Sequence, residues 1–335
     1  MITPLHKRTL RTQPCLPAMS GFSLIEMMIS ITIGLFIIAA MIGVLISSSS
    51  SSKTNDRTSE LQSNGRYALN NLSKELRHAG FHAYTPLSNP TILSAIAISA
   101  SASVPGVCGG STDFVANIQQ GIWGGDNSNP FPGNCIPANY RANTDVLVLR
   151  RLADQATASA SGVANTIYFR SAYAQGNIFQ FANAAAVPTV TGNAEAENFE
   201  LWQYVYYIGN DDNDATLPAL RRVRLQTASD PVPGSMADEM VVSGIEQLQV
   251  QYSIFNVTDG TTQYYNASGL TGSSINTAAT EWDNVNAVRI WILARNAKAE
   301  PGYANTTSYE MGNHTYTVND SFRRQLFTTV VQLRN

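Results

Sequence analysis

Charge is scarce in this chain of 335 residues: 13% are Asp, Glu, Lys or Arg, 21 basic against 24 acidic, for a formal charge of −3. That excludes a disordered polyelectrolyte, which combines low hydropathy with high net charge. No basic block lies beyond the N-terminus, so the cationic footprint for nucleic acid is missing and no direct binding to it is expected. Cysteine (3) and histidine (4) are rare. No phosphate loop, dinucleotide-binding glycine motif or Gly-x-Ser-x-Gly elbow occurs. His78 and His82 stand four apart, yet His-Ala-Gly-Phe-His lacks a zinc protease's glutamate and a third ligand, so helix-end histidines are the ordinary reading. An enzyme is not expected, and neither is a cofactor.

Long apolar runs are lacking too, with one exception. From Met27 to Ile46 twenty residues pass without a charge, and at ~1.5 Å per residue such a helix spans the ~30 Å of a bilayer core. Lys7, Arg8 and Arg11 precede the run and the next basic residue is Lys53. That asymmetry keeps the N-terminus cytoplasmic and exports residues 47–335. An ordinary secretory signal is the competing reading, with Ser47 to Ser52 as the cleavage region, and it would yield a soluble periplasmic binding protein. Such signals have apolar cores of ~7–15 residues, shorter than this one. They also have no use for Glu26, a carboxylate one residue before the run, where an acid is unfavourable and therefore a functional candidate.

The stretch Ser20-Gly21-Phe22-Ser23-Leu24-Ile25-Glu26-Met27 resembles the type IV prepilin family, whose leader ends in Gly, followed by Phe and by a Glu four residues after the Phe. The resemblance implies cleavage between Gly21 and Phe22 by a prepilin peptidase and methylation of the new Phe22 amine. A mature chain of 314 residues would remain, with 18 basic against 24 acidic residues and a charge of −6. Glu26 then lies about 6 Å along the helix from that amine, and a neighbouring subunit's amine can reach the same carboxylate. The resemblance favours this intermolecular pair as an assembly device. The alternative is that Glu26 complements its own helix N-terminus, for ~0.3–1 kcal/mol.

Beyond the six serines, Leu61, Ala68, Leu72, Leu76 and Ala79 mark one face of an amphipathic helix that stops near Gly80. Leu61 to Leu69 and Leu76 to Phe81 look like the PilW branch of the minor pilins, which places Asn-Gly-Arg-Tyr/Phe-Ala-Leu and Arg-x-Ala-Gly-Tyr/Phe in this helix. Similarity recurs at Asp145 to Arg151, Met240 to Tyr252, Asn286 to Arg295 and Phe322 to Asn335. Residues 82–140, with six prolines, read as a long irregular connection. Once Cys15 leaves with the leader, Cys108 and Cys135 form an even pair in an oxidising compartment, where a disulfide is expected. Closing that loop contributes ~3 kcal/mol in the chain-entropy model.

The remainder reads as β: Asp145 to Arg150, Thr166 to Arg170, Leu201 to Ile208, Pro218 to Gln226, Glu246 to Phe255, Val288 to Arg295 and Arg324 to Arg334. Between two of these, Asp211, Asp212 and Asp214 hint weakly at a calcium loop, but the central Gly and distant Glu are missing and a hairpin turn is favoured. The expected fold is α+β and pilin-like, a long N-terminal helix on an antiparallel sheet. Its parts are a leader (1–21), a transmembrane helix (22–46), an amphipathic helix (47–81), the loop region (82–140) and the β domain (141–335). The function the resemblance implies is a minor pilin that primes pilus assembly, in a tip complex, supporting adhesion, twitching motility or DNA uptake. Its implied partners are other minor pilins, the major pilin, the prepilin peptidase, the inner-membrane assembly platform, a tip adhesin and, before assembly, membrane lipid. It would lie in the inner membrane first and in the surface pilus later. A minor pseudopilin of a type II secretion system is the alternative.

Overall fold

The computed structural model describes residues 21–85, 108, 113–131, 135–137, 139–173, 176–189, 196–256, 260–270 and 281–333. The leader as far as residue 20, Cys15 and the last two residues lie outside these. Two compact units divide the chain, Met1–Asp56 and Arg57–Asn335.

Helix α1 runs from Leu24 to His78. In the described part of the first unit the large apolar side chains stay outside any core: Phe22 is 86% exposed and those from Leu24 to Ile46 are all at least half exposed. Within the second unit α1 buries Leu61, Gly65, Ala68, Leu72, Glu75 and Leu76, the spacing of three and four expected for one helical face. Two of these departures from plain apolar packing have identifiable partners. A Cβ on Gly65 would overlap the Phe327 ring, so the strand carrying Phe327 can approach only a glycine. Glu75 meets Arg151 Nε at 2.9 Å, and the Arg151 guanidinium lies 4.0 Å from the centre of the Trp202 ring. Asn64, beside Gly65, donates its amide to the Ser243 carbonyl at 3.2 Å. The helix stops at Gly80, whose φ of 78° suits glycine. Its N–H donates to the Arg150 carbonyl at 2.9 Å.

The short helix α2 (Asp113–Ala116) and strand β1 (Ile122–Gly125) come next. The strands that follow are β2 (Val146–Thr157), β3 (Ile167–Ser171), β4 (Gly176–Gln180), β5 (Glu197–Asn210), β6 (Pro218–Leu225) and β7 (Met236–Ser243). Then come β8 (Ile245–Asn256), β9 (Thr261–Tyr265), β10 (Val285–Arg295), β11 (Ser308–Met311), β12 (His314–Thr317) and β13 (Arg324–Gln332). One sheet of seven strands has the order β1-β2-β5-β3-β4, with β6 also beside β5 and β7 beside β6; β13-β10-β8-β9 form a second, and β11-β12 a hairpin. All pairings are antiparallel.

The expected long helix on antiparallel β structure is present, with its strands shared between two larger sheets rather than one. The chain crosses between them at Gly244, where φ is 76° and an added Cβ would lie 2.9 Å from the Arg295 carbonyl. Asp145 bolts the same joint. Its carboxylate accepts from Val250 N at 2.7 Å and Asn127 N at 2.9 Å, and burial pushes it up to about 7. The second departure concerns residues 82–140, whose described part holds α2 and the fully buried strand β1. Gly124-Gly125 and the prolines conceal that strand. Gly124 is needed there because the Tyr252 hydroxyl occupies the space of a Cβ.

His82 closes the helix end by donating Nε2–H to the Ile118 carbonyl at 2.6 Å. Burial pushes this imidazole down to about 4. The folded chain thus refuses a proton that the unfolded chain accepts below its ordinary value near 6.5, so this contribution to stability is present above pH 6.5 and lost as pH falls toward 4. In thermal unfolding of the detergent-purified chain, His82→Gln should flatten the fall in Tm between pH 7 and 4.5 relative to wild type. An unchanged slope would remove His82 as its source. Gly65→Ala should destabilise by ~1–3 kcal/mol through overpacking, although alanine is the better helix former. Phe327→Leu in the same chain should recover part of that loss, and additive effects would show that the two residues do not meet.

Candidate functional site

The N-terminal site is built from a short extended segment and the first turn of α1. Gly21, Phe22 and Ser23 are outside any helix, which leaves the Gly21–Phe22 peptide in open backbone. A Cβ on Gly21 would meet nothing within 4 Å. Among the described residues nothing requires glycine there. One turn on, Glu26 Oε2 accepts the Ser23 backbone N–H at 3.1 Å, while Met27 N donates to the Ser23 carbonyl at 3.2 Å. Ser23-x-x-Glu26 is thus the glutamate half of a capping box, satisfying one of the N–H groups a helix start leaves unpaired. Within the single chain Glu26 caps its own helix start. The apolar helix behind it is long and apolar enough to cross a membrane.

The disulfide Cys108–Cys135 is formed, with its Cα atoms 4.7 Å apart. Between its ends Phe114, Val115, Ile118, Ile122, Trp123 and Phe131 enter the core. Sequence reasoning missed what receives them. Arg150, fully buried, donates Nε–H to the Phe114 carbonyl at 3.2 Å and Nη1–H to the Gln120 carbonyl at 2.9 Å. Its guanidinium lies 4.6 Å from the Phe114 ring centre. Gln203, directly across on β5, donates to the Val115 carbonyl at 2.8 Å. A cation facing the last carbonyls of a helix is favourable, and burial lowers this one to about 9. The available signal was a pair of arginines ending the apolar run Val146 to Leu149.

The acidic loop between β5 and β6 spends its oxygens on itself. Asp211 Oδ1 accepts from Asn213 N and Asp214 N at 2.8 and 3.2 Å. Asp214 Oδ1 accepts the Thr216 N–H and hydroxyl at 2.9 and 2.6 Å. These bonds hold both carboxyls below the usual range, and Asp212 pairs with Arg221 Nη1 at 2.5 Å. The turn reading accounts for all three. Among the described residues no cluster of three His, Cys, Asp or Glu could hold a metal. His78 Nδ1 faces the Lys74 carbonyl at 2.8 Å and His82 the Ile118 carbonyl, so they share no ligand position.

Comparison with known proteins bears on both ends of the chain. The family model described as Type IV Pilus-assembly protein W matches residues 205–335, which hold β6 to β13 and part of β5. The prokaryotic N-terminal methylation motif matches residues 17–42. Among curated proteins none matches. A solved type IV-like pilin, TTHA1219 from Thermus thermophilus, aligns with 59% of this chain and 80% of its own at 17% identity and a TM-score of 0.25, too distant a likeness to argue from. With the methylation motif at one end and the PilW domain at the other, the chain is a minor type IV pilin-like protein.

Proposed function

We infer that this chain is a minor pilus subunit, cut between Gly21 and Phe22 by a prepilin peptidase, methylated at the Phe22 amine and assembled through its apolar helix. The observation that carries the reading is the exposed helix from Leu24 to Ile46, headed by Phe22 and Glu26. Gly21 supports it, because a glycine without a structural reason points to recognition by an enzyme. Lys7, Arg8 and Arg11 support a leader in the cytoplasm and a second unit across the inner membrane. There the oxidised cysteines are at home. Other minor pilins, the major pilin, the assembly platform and a tip adhesin are the partners of this reading, which extends to priming assembly and to adhesion, motility or DNA uptake. Its role is structural, without catalysis. The PilW match over residues 205–335 favours a pilus over a type II secretion pseudopilin.

Glu26 has two roles to separate, and one substitution separates them. Glutamine can still accept the Ser23 N–H but carries no charge. Glu26→Gln and Glu26→Ala should both be cleaved, leaving methylated Phe22 as the N-terminus by mass measurement. Both should be recovered in sheared filaments about tenfold less than wild type, the loss expected for an interaction of ~1.4 kcal/mol. Normal recovery of the Gln variant would leave Glu26 as a helix cap alone. An N-terminus near Ser47 to Ser52 would overturn the pilin reading.

A further inference from the structure

Most arginines on or beside the sheets pair with carboxylates, while Arg150 and Arg170 bond neutral oxygens and Arg289 lies over the Tyr264 ring. Arg151, Arg221, Arg222, Arg224, Arg295, Arg323 and Arg324 all enter ion pairs. Helix α1 is different. Ser63, Arg66, Tyr67, Asn70, Lys74 and Arg77 are exposed at spacings of three, one, three, four and three, one stripe along the helix. The side chains of Arg66, Lys74 and Arg77 enter no ion pair or hydrogen bond among the described residues. Glu75 is the lone acid between Ser63 and Arg77, and it is turned inward to Arg151 at 2.9 Å. The outward stripe is therefore purely cationic on a chain whose mature charge is −6.

Arg77 has a local reason to be there, since it lies in the last turn of α1, where a cation meets the helix dipole. Arg66 and Lys74 lie before that turn and have none. Tyr67, 54% exposed, sits among them, and Tyr and Arg are the residue types that anchor protein interfaces.

We propose that this stripe docks on a carboxylate-bearing face of another pilus subunit. The proposal rests on the assembly reading, in which the apolar part of α1 brings subunits together and the next turns of the same helix are what a neighbour meets. Charge sign selects the partner: an acidic face is attracted, whereas basic surfaces are repelled. Three cations are few for nucleic acid, which is typically held by ~6–10 phosphate contacts.

Lys74 makes the test direct, because a carbodiimide joins an amine to a carboxylate only when the two touch. Intact cells carrying the full chain would be treated and cross-linked peptides mapped by mass spectrometry, alongside Arg66→Glu/Lys74→Glu/Arg77→Glu. The expected result is an amide from Lys74 to an Asp or Glu of a different pilus polypeptide. The triple variant should keep methylated Phe22 and the Cys108–Cys135 bond but be recovered in sheared filaments about tenfold less. Coupling only within the chain, no coupling, or normal recovery of the triple variant would overturn the proposal. So would retardation of double-stranded DNA by the purified chain that the triple variant abolishes, which would reassign the stripe to phosphate. An amide to an acidic partner on a chain whose N-terminus is not Phe22 would keep the docking and remove the pilin reading.

Discussion

Packing of α1 on the β-sheets is the constraint from which most of the second unit follows. An apolar face alone would let a helix slide or rotate on a sheet, since burial is non-directional. Two features of α1 fix it. Gly65 admits the Phe327 ring to the helix backbone, at a position where glycine weakens a helix by ~1 kcal/mol. Glu75 and Arg151, both buried, meet at 2.9 Å. Such a pair adds little net stability against an apolar substitute, but either charge alone would be strongly destabilising. Any other docking of α1 would strand both. Stability here is traded for a single arrangement.

The same logic recurs between β6 and β7. Arg222 and Glu239 are direct cross-strand partners and form an ion pair. Arg224 bonds Asp230 at 2.5 Å and Glu239 at 3.0 Å. Arg221 reaches Asp238 at 2.6 Å, which also accepts the Tyr207 hydroxyl at 2.7 Å. A slip of one residue would turn each charge to the opposite face. Register is thus written in charge on strands whose apolar pattern is weak.

This explains which elements were legible in the sequence. The apolar run, the helix face from Leu61 to Ala79 and strands such as Val288 to Arg295 declare themselves by hydropathy and period, and so does the Gly21-Phe22-Glu26 pattern. Strand β7, Met-Ala-Asp-Glu-Met-Val-Val-Ser, does not, because Asp238 and Glu239 look like loop residues until Arg221 and Arg222 are placed beside them. Strand β1 is hidden by Gly124, which exists for the Tyr252 hydroxyl. The two arginines ending the apolar run mark Arg150 but not its partners, which are carbonyls of a segment 30 to 36 residues away. Periodicity reveals what a residue does for its own element and conceals what it does for a distant one. At the candidate site the motif was visible, whereas the bond between Glu26 and Ser23 N–H was not.

That bond changes how the charge of Glu26 is to be understood. Before cleavage, residue 22 contributes a neutral peptide, and the carboxylate at the edge of the apolar helix is eased by the helix start it caps. Cleavage on the proposed reading adds a cation at Phe22, one residue from the N–H that Glu26 already holds. A lone helix can then neutralise itself only by bending its free end back toward its own first turn, which would hold that end in one conformation. A neighbour's amine needs no such bend. On the proposed reading capping and assembly are successive states of one side chain, ordered by the appearance of the amine.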